Sequence, residues 1–249
     1  MRLVTIPFSH YCEKARFGLD HAGVAFDEEA HLPIVAARHA RRAGGGRTVP
    51  VLVTDKGVVA DSTDILHFCD RHARGGPPLY PPKTAAEVSA LEDHFDEKFG
   101  PHVRRLAFFH ALPSRRYVLD LAGEGLPWWE RALLGVAYPV LRTAIERGLR
   151  IDAAGAARSA ARVEEVFAEV GRRLADGRPF LVGNTFTAAD LTFAALASPL
   201  LRPPEHPRPY RETHAPASLT TLQDRLRASR AGSFALQLYA SFRRRPSAD

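Results

Sequence analysis

Leu3-Val-Thr-Ile-Pro-Phe-Ser-His-Tyr-Cys-Glu-Lys-Ala-Arg16 decides how this chain folds. A short apolar strand, Leu3 to Ile6, runs through Pro7 directly into a helix expected over His10 to Ala22. Cys12, Ala15, Leu19 and Ala22 recur on one face of that helix at spacings of three, four and three, which is the helical period. Its opening residues carry a hydroxyl, Ser9, and a thiol, Cys12, three positions apart. A helix start presents unpaired backbone N–H groups and a partial positive charge, so it can seat an anion. If that anion is a thiolate, it belongs either to Cys12 or to a small molecule held beside Ser9.

Working outward, the alternation of strand and helix continues. Val24 to Phe26 begins a second strand, followed by a segment that reads as a loop or a poor helix. Val51 to Val59 reads as a hairpin about Thr54-Asp-Lys-Gly57, with Gly57 taking the positive φ such turns need. Ser62 is placed to cap a helix that buries Ile65, Leu66 and Cys69. Arg74-Gly-Gly-Pro-Pro-Leu-Tyr-Pro-Pro-Lys83 cannot continue a helix or a central strand and marks a linker. Two units follow: an α/β domain over 1–74 and, after the linker at 75–83, an all-α domain over 84–249.

In the second unit Thr84-Ala-Ala-Glu87 has capping-box spacing and opens a helix expected to reach about Ala111, kinked at Pro101. Trp128 to Gly148 is a further apolar helical stretch. Ala154 to Ala175 is the best amphipathic helix, with Val163, Val166, Phe167, Val170 and Leu174 on one stripe. Thr187 and Asp190 again have capping-box spacing before an apolar helix. A Pro-rich loop, Pro203 to Pro216, precedes two short helices. The chain shows no internal repeat.

Composition sets bounds on function. The 249 residues, 45% hydrophobic and 25% charged, fit a globular protein with a sizeable core. No run is long and apolar enough to span a bilayer, and the N-terminus reads as a strand rather than a secretion signal. Two cysteines, Cys12 and Cys69, make no disulfide framework, which implies a reducing cytoplasm. The net charge of +6 raises the question of nucleic acid. The arginines, however, are scattered among acidic residues, dense only over Arg38 to Arg47 and Arg243-Arg-Arg245, with no aromatic-interleaved basic stripe. No nucleic-acid partner is expected. The eleven histidines show no ligand spacing with carboxylates or cysteines along the chain, so no metal is expected either.

Four motifs in order resemble the soluble glutathione transferase superfamily: Ser9-His-Tyr-Cys12 after the first strand, Thr48-Val49-Pro50, Asp61-Ser62, and Phe186-Thr-Ala-Ala-Asp190. The likeness spans nearly the whole chain. It implies a thioredoxin-like α/β N-terminal domain, an all-α C-terminal domain and a homodimer. It also implies glutathione as co-substrate, without a metal. Val49-Pro50 would be cis, as an X–Pro bond readily can be, leaving the Val49 backbone to pair with glutathione as with an added strand. Asp61 and Ser62 would hold the γ-glutamyl end. The glycyl carboxylate needs a cation from among Arg38, His39, Arg42 and Arg47; Arg47, next to Thr48, is taken with the binding set.

The catalytic candidates are Ser9 and Cys12. Ser9 would donate a hydrogen bond to the glutathione sulfur and favour its thiolate. Cys12 lies on the apolar face, where free cysteine is usually packing, yet an early helical position can also lower a thiol's pKa for redox or thiol-transfer work. The segment 101–151 is longer than a minimal transferase needs and strongly apolar. It could enlarge a pocket for an apolar electrophile, with Phe108, Phe109, Tyr117, Trp128 and Trp129 as lining. It could also form a dimer surface or, as the less favoured reading, lie on a membrane. A non-catalytic module binding apolar ligands, a membrane surface or a protein is the rival to a transferase.

Overall fold

The structure, a computed structural model, describes residues 1–73, 75–123, 125–208 and 214–243. Arg74 at the end of the first unit, part of the Pro-rich loop at 209–213, and the basic tail from Arg244 lie outside the described residues.

The first unit contains β1 (Arg2–Thr5), α1 (His10–His21), β2 (Asp27–Ala30), α2 (Pro33–Arg42), β3 (Val51–Thr54), β4 (Gly57–Ala60) and α3 (Ser62–His72). The four strands form one sheet in the order β2-β1-β3-β4. β1 is parallel to β2, a pairing that requires the crossover through α1. β3 is antiparallel to both β1 and β4. Asp55 and Lys56 make the hairpin turn, and Gly57 adopts φ +139°. The result is a thioredoxin-like α/β layer.

Two elements differ from the expectation. β2 starts at Asp27, beyond the apolar Val24–Phe26 run, because the Val24 N–H is used by Leu19 O in the reversal after α1. The strand's acidic side chains are tolerated because Glu28 pairs with Arg16 and Glu29 with Arg2. The segment read as a loop or poor helix is α2, started by Pro33 and buried at Ala36 and Ala40.

The second unit is helical: α4 (Ala85–Lys98), α5 (Gly100–Ala111), α6 (Arg115–Gly123), α7 (Trp128–Gly148), α8 (Ala153–Arg173), a 3-10 turn (Leu174–Asp176), α9 (Ala188–Leu201), α10 (Ala217–Arg227) and α11 (Arg230–Phe242). α9 is apolar all round and is the buried axis against which α1, α4, α5, α10 and α11 pack. Its start is fixed by a formed capping box. Asp190 Oδ2 accepts from the Thr187 N–H at 2.9 Å and the Thr187 hydroxyl at 2.7 Å, while Oδ1 takes the Leu181 N–H at 2.8 Å.

The box at Thr84 does not form. Thr84 has φ −124°, ψ 4°, and makes no side-chain cap bond, while Glu87 faces Arg173. The long helix expected over 84–111 is broken at Phe99, and α5 begins with Pro101 in its first turn, where a missing N–H costs nothing. α6 was not legible in the sequence.

Candidate active site

Strand register brings the motifs together. Val4 pairs with Val51, so the chain leaving β1 toward Ser9 runs beside Pro50 as it enters β3. Val51 pairs with Ala60, and the Asp61 N–H donates to Pro50 O at 3.3 Å. Ser9, Val49-Pro50 and Asp61-Ser62 therefore meet at one end of the sheet, where α1 and α3 both begin.

Each motif has a defined local structure. Ser9 is the N-cap of α1, its hydroxyl accepting from the Cys12 N–H at 3.4 Å, and it is only half-buried. Val49-Pro50 is cis. Pro50 is buried, Val49 half-buried, and Arg47 and Thr48 exposed. The N-cap of α3 is Asp61, not Ser62 as the sequence suggested: its carboxylate accepts from the Thr63 N–H at 2.9 Å. Asp61 adopts φ +88°, ψ 145°, a backbone conformation that favours glycine, and such strain in other residues tends to mark functional positions. Ser62 is the first residue of α3 and is buried.

Cys12 is fully buried, its sulfur accepting from the Ile6 N–H at 3.5 Å. Burial pushes its thiol up from the ordinary value, outweighing the nearby Arg16. Cys69 is likewise buried in α3, and its thiol is pushed up to about 12 by burial.

Beneath the α3 start lies a polar network that single-sequence reading missed. Lys14 Nζ, fully buried, meets Asp96 Oδ2 at 2.5 Å, Glu92 Oε1 at 2.8 Å and the Thr63 hydroxyl at 2.9 Å. Thr63 also donates to Asp96 at 3.1 Å, and Tyr80 donates to Glu92 Oε2 at 2.6 Å. A buried charge must be paired, and here α1, α3 and α4 are pinned to one another by that requirement.

The two residues after Ser9 tie the site to the helical domain. His10 Nε2 lies 3.1 Å from Gly100 O; a carbonyl can only accept, so Nε2 carries the proton. Burial, then the charge of Arg104, pushes His10 down to about 3, which keeps the ring neutral. Tyr11 donates to Asp96 O at 2.8 Å, a carbonyl in the last turn of α4.

Beside Ser9 opens an apolar cleft of about 860 Å³, mouth included. Phe8, His10, Leu32 and Pro33 form one wall, and Phe108, Tyr117, Leu134 and Tyr138 of α5, α6 and α7 the other. Tyr138 donates to Leu112 O at 2.5 Å, so its hydroxyl is satisfied and its ring is presented to the cleft. Arg104 and Arg142 add two guanidinium groups to the lining. Of the five aromatic residues expected there, Phe108 and Tyr117 line the cleft. Phe109, Trp128 and Trp129 do not, and Trp128 is 80% exposed on α7. Among the described residues no helix is long and apolar enough to cross a membrane.

Of the four cations considered for a glycyl carboxylate, His39 is engaged with Glu29, while Arg38, Arg42 and Arg47 are exposed. The fold also gathers Glu29, His31 and His39, which linear spacing did not reveal because they come from a strand, a loop and a helix.

A thioredoxin-like sheet with a cis-proline, a serine at the first helix start and an all-helical domain walling an apolar cleft together define a class of thiol-handling proteins. Comparison with known proteins places the chain within that class. Residues 3–78 match the glutathione S-transferase N-terminal domain and residues 153–215 the glutathione S-transferase C-terminal domain. The chain belongs to the glutathione S-transferase superfamily. No curated protein matches it in sequence.

Solved structures share the fold. A glutathione S-transferase from Methylobacterium radiotolerans JCM 2831, in complex with glutathione sulfonate, is 23% identical over 94% of this chain and 93% of its own, with a TM-score of 0.53. One from Rhodospirillum rubrum F11 is 19% identical over 99% and 96%, TM-score 0.59. The β-etherase LigF from Sphingobium sp. strain SYK-6 is 20% identical over 95% and 98%, TM-score 0.59.

Proposed function

We propose that this protein is a glutathione transferase that joins glutathione to an apolar electrophile, with Ser9 as the residue that activates the thiol. One observation carries the reading: Ser9, cis Val49-Pro50 and Asp61-Ser62 meet at one end of the sheet, with an apolar cleft alongside. Glutathione's cysteinyl backbone pairs with Val49. Its γ-glutamyl carboxylate sits at the α3 start against Ser62, and its α-amino group meets Asp61. Arg47 and Thr48 border the same edge, and Arg47 is the cation for the glycyl carboxylate. Ser9 donates a hydrogen bond to the sulfur, and the α1 start adds favourable field. The thiol proton leaves to solvent, the sulfur electron pair forms a C–S bond, and the leaving group departs with its bonding pair. The Methylobacterium radiotolerans relative, solved with glutathione sulfonate, a glutathione in which a sulfonate replaces the thiol, supports the choice of glutathione.

Cys12 has no part in this chemistry: it is buried behind Ser9 with its thiol held protonated. The electrophile is apolar because the cleft is walled by rings and aliphatic carbon. The family likeness further supports a homodimer working in the cytoplasm, and light scattering after gel filtration tests the first.

The protein should be retained on immobilised glutathione and should conjugate a generic aryl halide. Ser9→Ala should lower kcat/KM by about 10²-fold, the loss typical of removing one donor to a developing anion. Cys12→Ala should keep most turnover. Full activity after Ser9→Ala, or its loss only in Cys12→Ala, would overturn the assignment.

A further inference from the structure

We propose that Glu29, His31 and His39 form a binding site for a first-row divalent cation of the Zn²⁺ class, held in shape by Glu130. The proposal is independent of the transferase reading. One ligand atom from each of Glu29, His31 and His39 lies within 4.8 Å of the other two. Ligands at tetrahedral zinc distances stand about 3.3 Å apart, so small adjustments suffice. The two imidazole rings lie side by side with centroids 4.0 Å apart, tilted by 40°.

The support behind these atoms is what singles the cluster out. Glu130, at the start of α7 and fully buried, places Oε1 2.5 Å from His31 Nδ1. Its Oε2 accepts the Leu32 N–H at 2.6 Å. A carboxylate can only accept, so Nδ1 of His31 carries a proton and Nε2 is left to face outward. That is the carboxylate–histidine arrangement that orients metal-binding imidazoles elsewhere. His31 Nε2 then points at Glu29 Oε1 from 3.1 Å, and His39 Nδ1 contacts the same oxygen. Lone pairs so converged require a proton or a cation between them. Two carboxylates, Glu29 and Glu130, serve the cluster, and the Arg2 guanidinium that meets Glu29 Oε2 is about half exposed. Glu29 and His39 are partly exposed, so a cation can enter and keep a water as fourth ligand. Leu32 and Pro33, next in the chain, line the cleft. An occupied site would pin that wall to α7.

The test uses the tag-free full chain, stripped of metal and without glutathione. Zn²⁺ is titrated by calorimetry, and Co²⁺ is followed by its visible d–d absorption. One cation per chain is expected, with tetrahedral Co²⁺ bands. His39→Ala and Glu29→Gln should each weaken Zn²⁺ binding about tenfold or more, and Glu130→Gln about 10–100-fold. His110→Ala, in the helical domain, should leave binding unchanged. His39 is partly exposed, so its variant should melt as the parent does without metal. The assignment is overturned if no Co²⁺ band appears at millimolar cobalt, or if His39→Ala and Glu29→Gln bind Zn²⁺ as the parent does. The cluster is then a proton-sharing network only.

Discussion

His10 shows how one buried side chain couples the candidate site to acid stability. It follows Ser9, lines the cleft and donates to Gly100 O as a neutral ring. In the unfolded chain it titrates near its ordinary value of 6.5, but in the fold it is pushed down to about 3 by burial and then by Arg104. Between those values the unfolded state binds the extra proton. The contribution of His10 is therefore fully present above pH 6.5 and is lost as pH falls toward 3, at up to about 1.4 kcal/mol per pH unit. His10→Gln keeps a donor near Gly100 O but cannot take up that proton. Urea denaturation from pH 7 to pH 5 should show a shallower acid loss in His10→Gln than in the parent. Equal slopes would show that His10 is not the group responsible.

At the scale of elements, the break between α4 and α5 does as much for the site as any motif. Asp96 O and Gly100 O, on either side of Phe99, accept from Tyr11 and His10, so the α1 start is locked to the helical domain. The approach depends on glycine: a Cβ at Gly100 would lie 2.3 Å from the Tyr11 hydroxyl and 3.4 Å from His10 Nε2. Alanine normally favours a helix over glycine, but here overpacking should win, costing about 1–3 kcal/mol. Gly135→Ala on α7, where an added Cβ would meet nothing within 4 Å beyond its chain neighbours and its own helix's backbone, should be neutral or stabilising by up to about 1 kcal/mol. Chemical denaturation of the pair decides it, and two variants of equal stability would contradict the locking role. Pro101 announced a break in the sequence, but not the carbonyls it would present. The same limit runs through the other elements. α1, the hairpin and the box at Thr187 were legible because their signals are local: a helical period, a turn glycine, a cap three residues from its partner. β2 was obscured because its charges are satisfied from elsewhere, Glu28 by Arg16 and Glu29 by Arg2. At the candidate site the residues of three of the four motifs could be named, but not which residue caps α3. Lys14 with Asp96, or His31 with Glu130, meet only through tertiary contacts between residues far apart in sequence.

Across the whole molecule, the N-terminal unit is held to the C-terminal helices by buried charge as well as by apolar packing. Glu13 of α1 meets Arg243, just past α11, at 3.0 Å, His206 at 3.5 Å and Arg16 at 3.4 Å. Arg243 also pairs with Asp20 and lies over the Phe17 ring at 5.5 Å. Burial alone would raise the Glu13 carboxyl, but Arg243, His206 and Arg16 together hold it below its ordinary value. Its ionised form thus stabilises the fold above the unfolded pKa, and that contribution is lost as pH falls through the lowered folded value. Arg243→Ala removes the largest of those attractions, leaving burial at Glu13 opposed only by His206 and Arg16 and burial at Asp20 opposed only by the more distant charge of Arg16. Breaking a buried pair from one side should cost about 3 kcal/mol at pH 8. With the pull gone, the Glu13 pKa rises and the carboxyl can take a proton at moderate acidity. The penalty of Arg243→Ala relative to the parent should therefore shrink between pH 8 and pH 5, although the parent itself loses stability over that range. Urea unfolding of both proteins at the two pH values measures it. A penalty that stays constant with pH would mean that Arg243 acts through its packing on Phe17 rather than through its charge on Glu13.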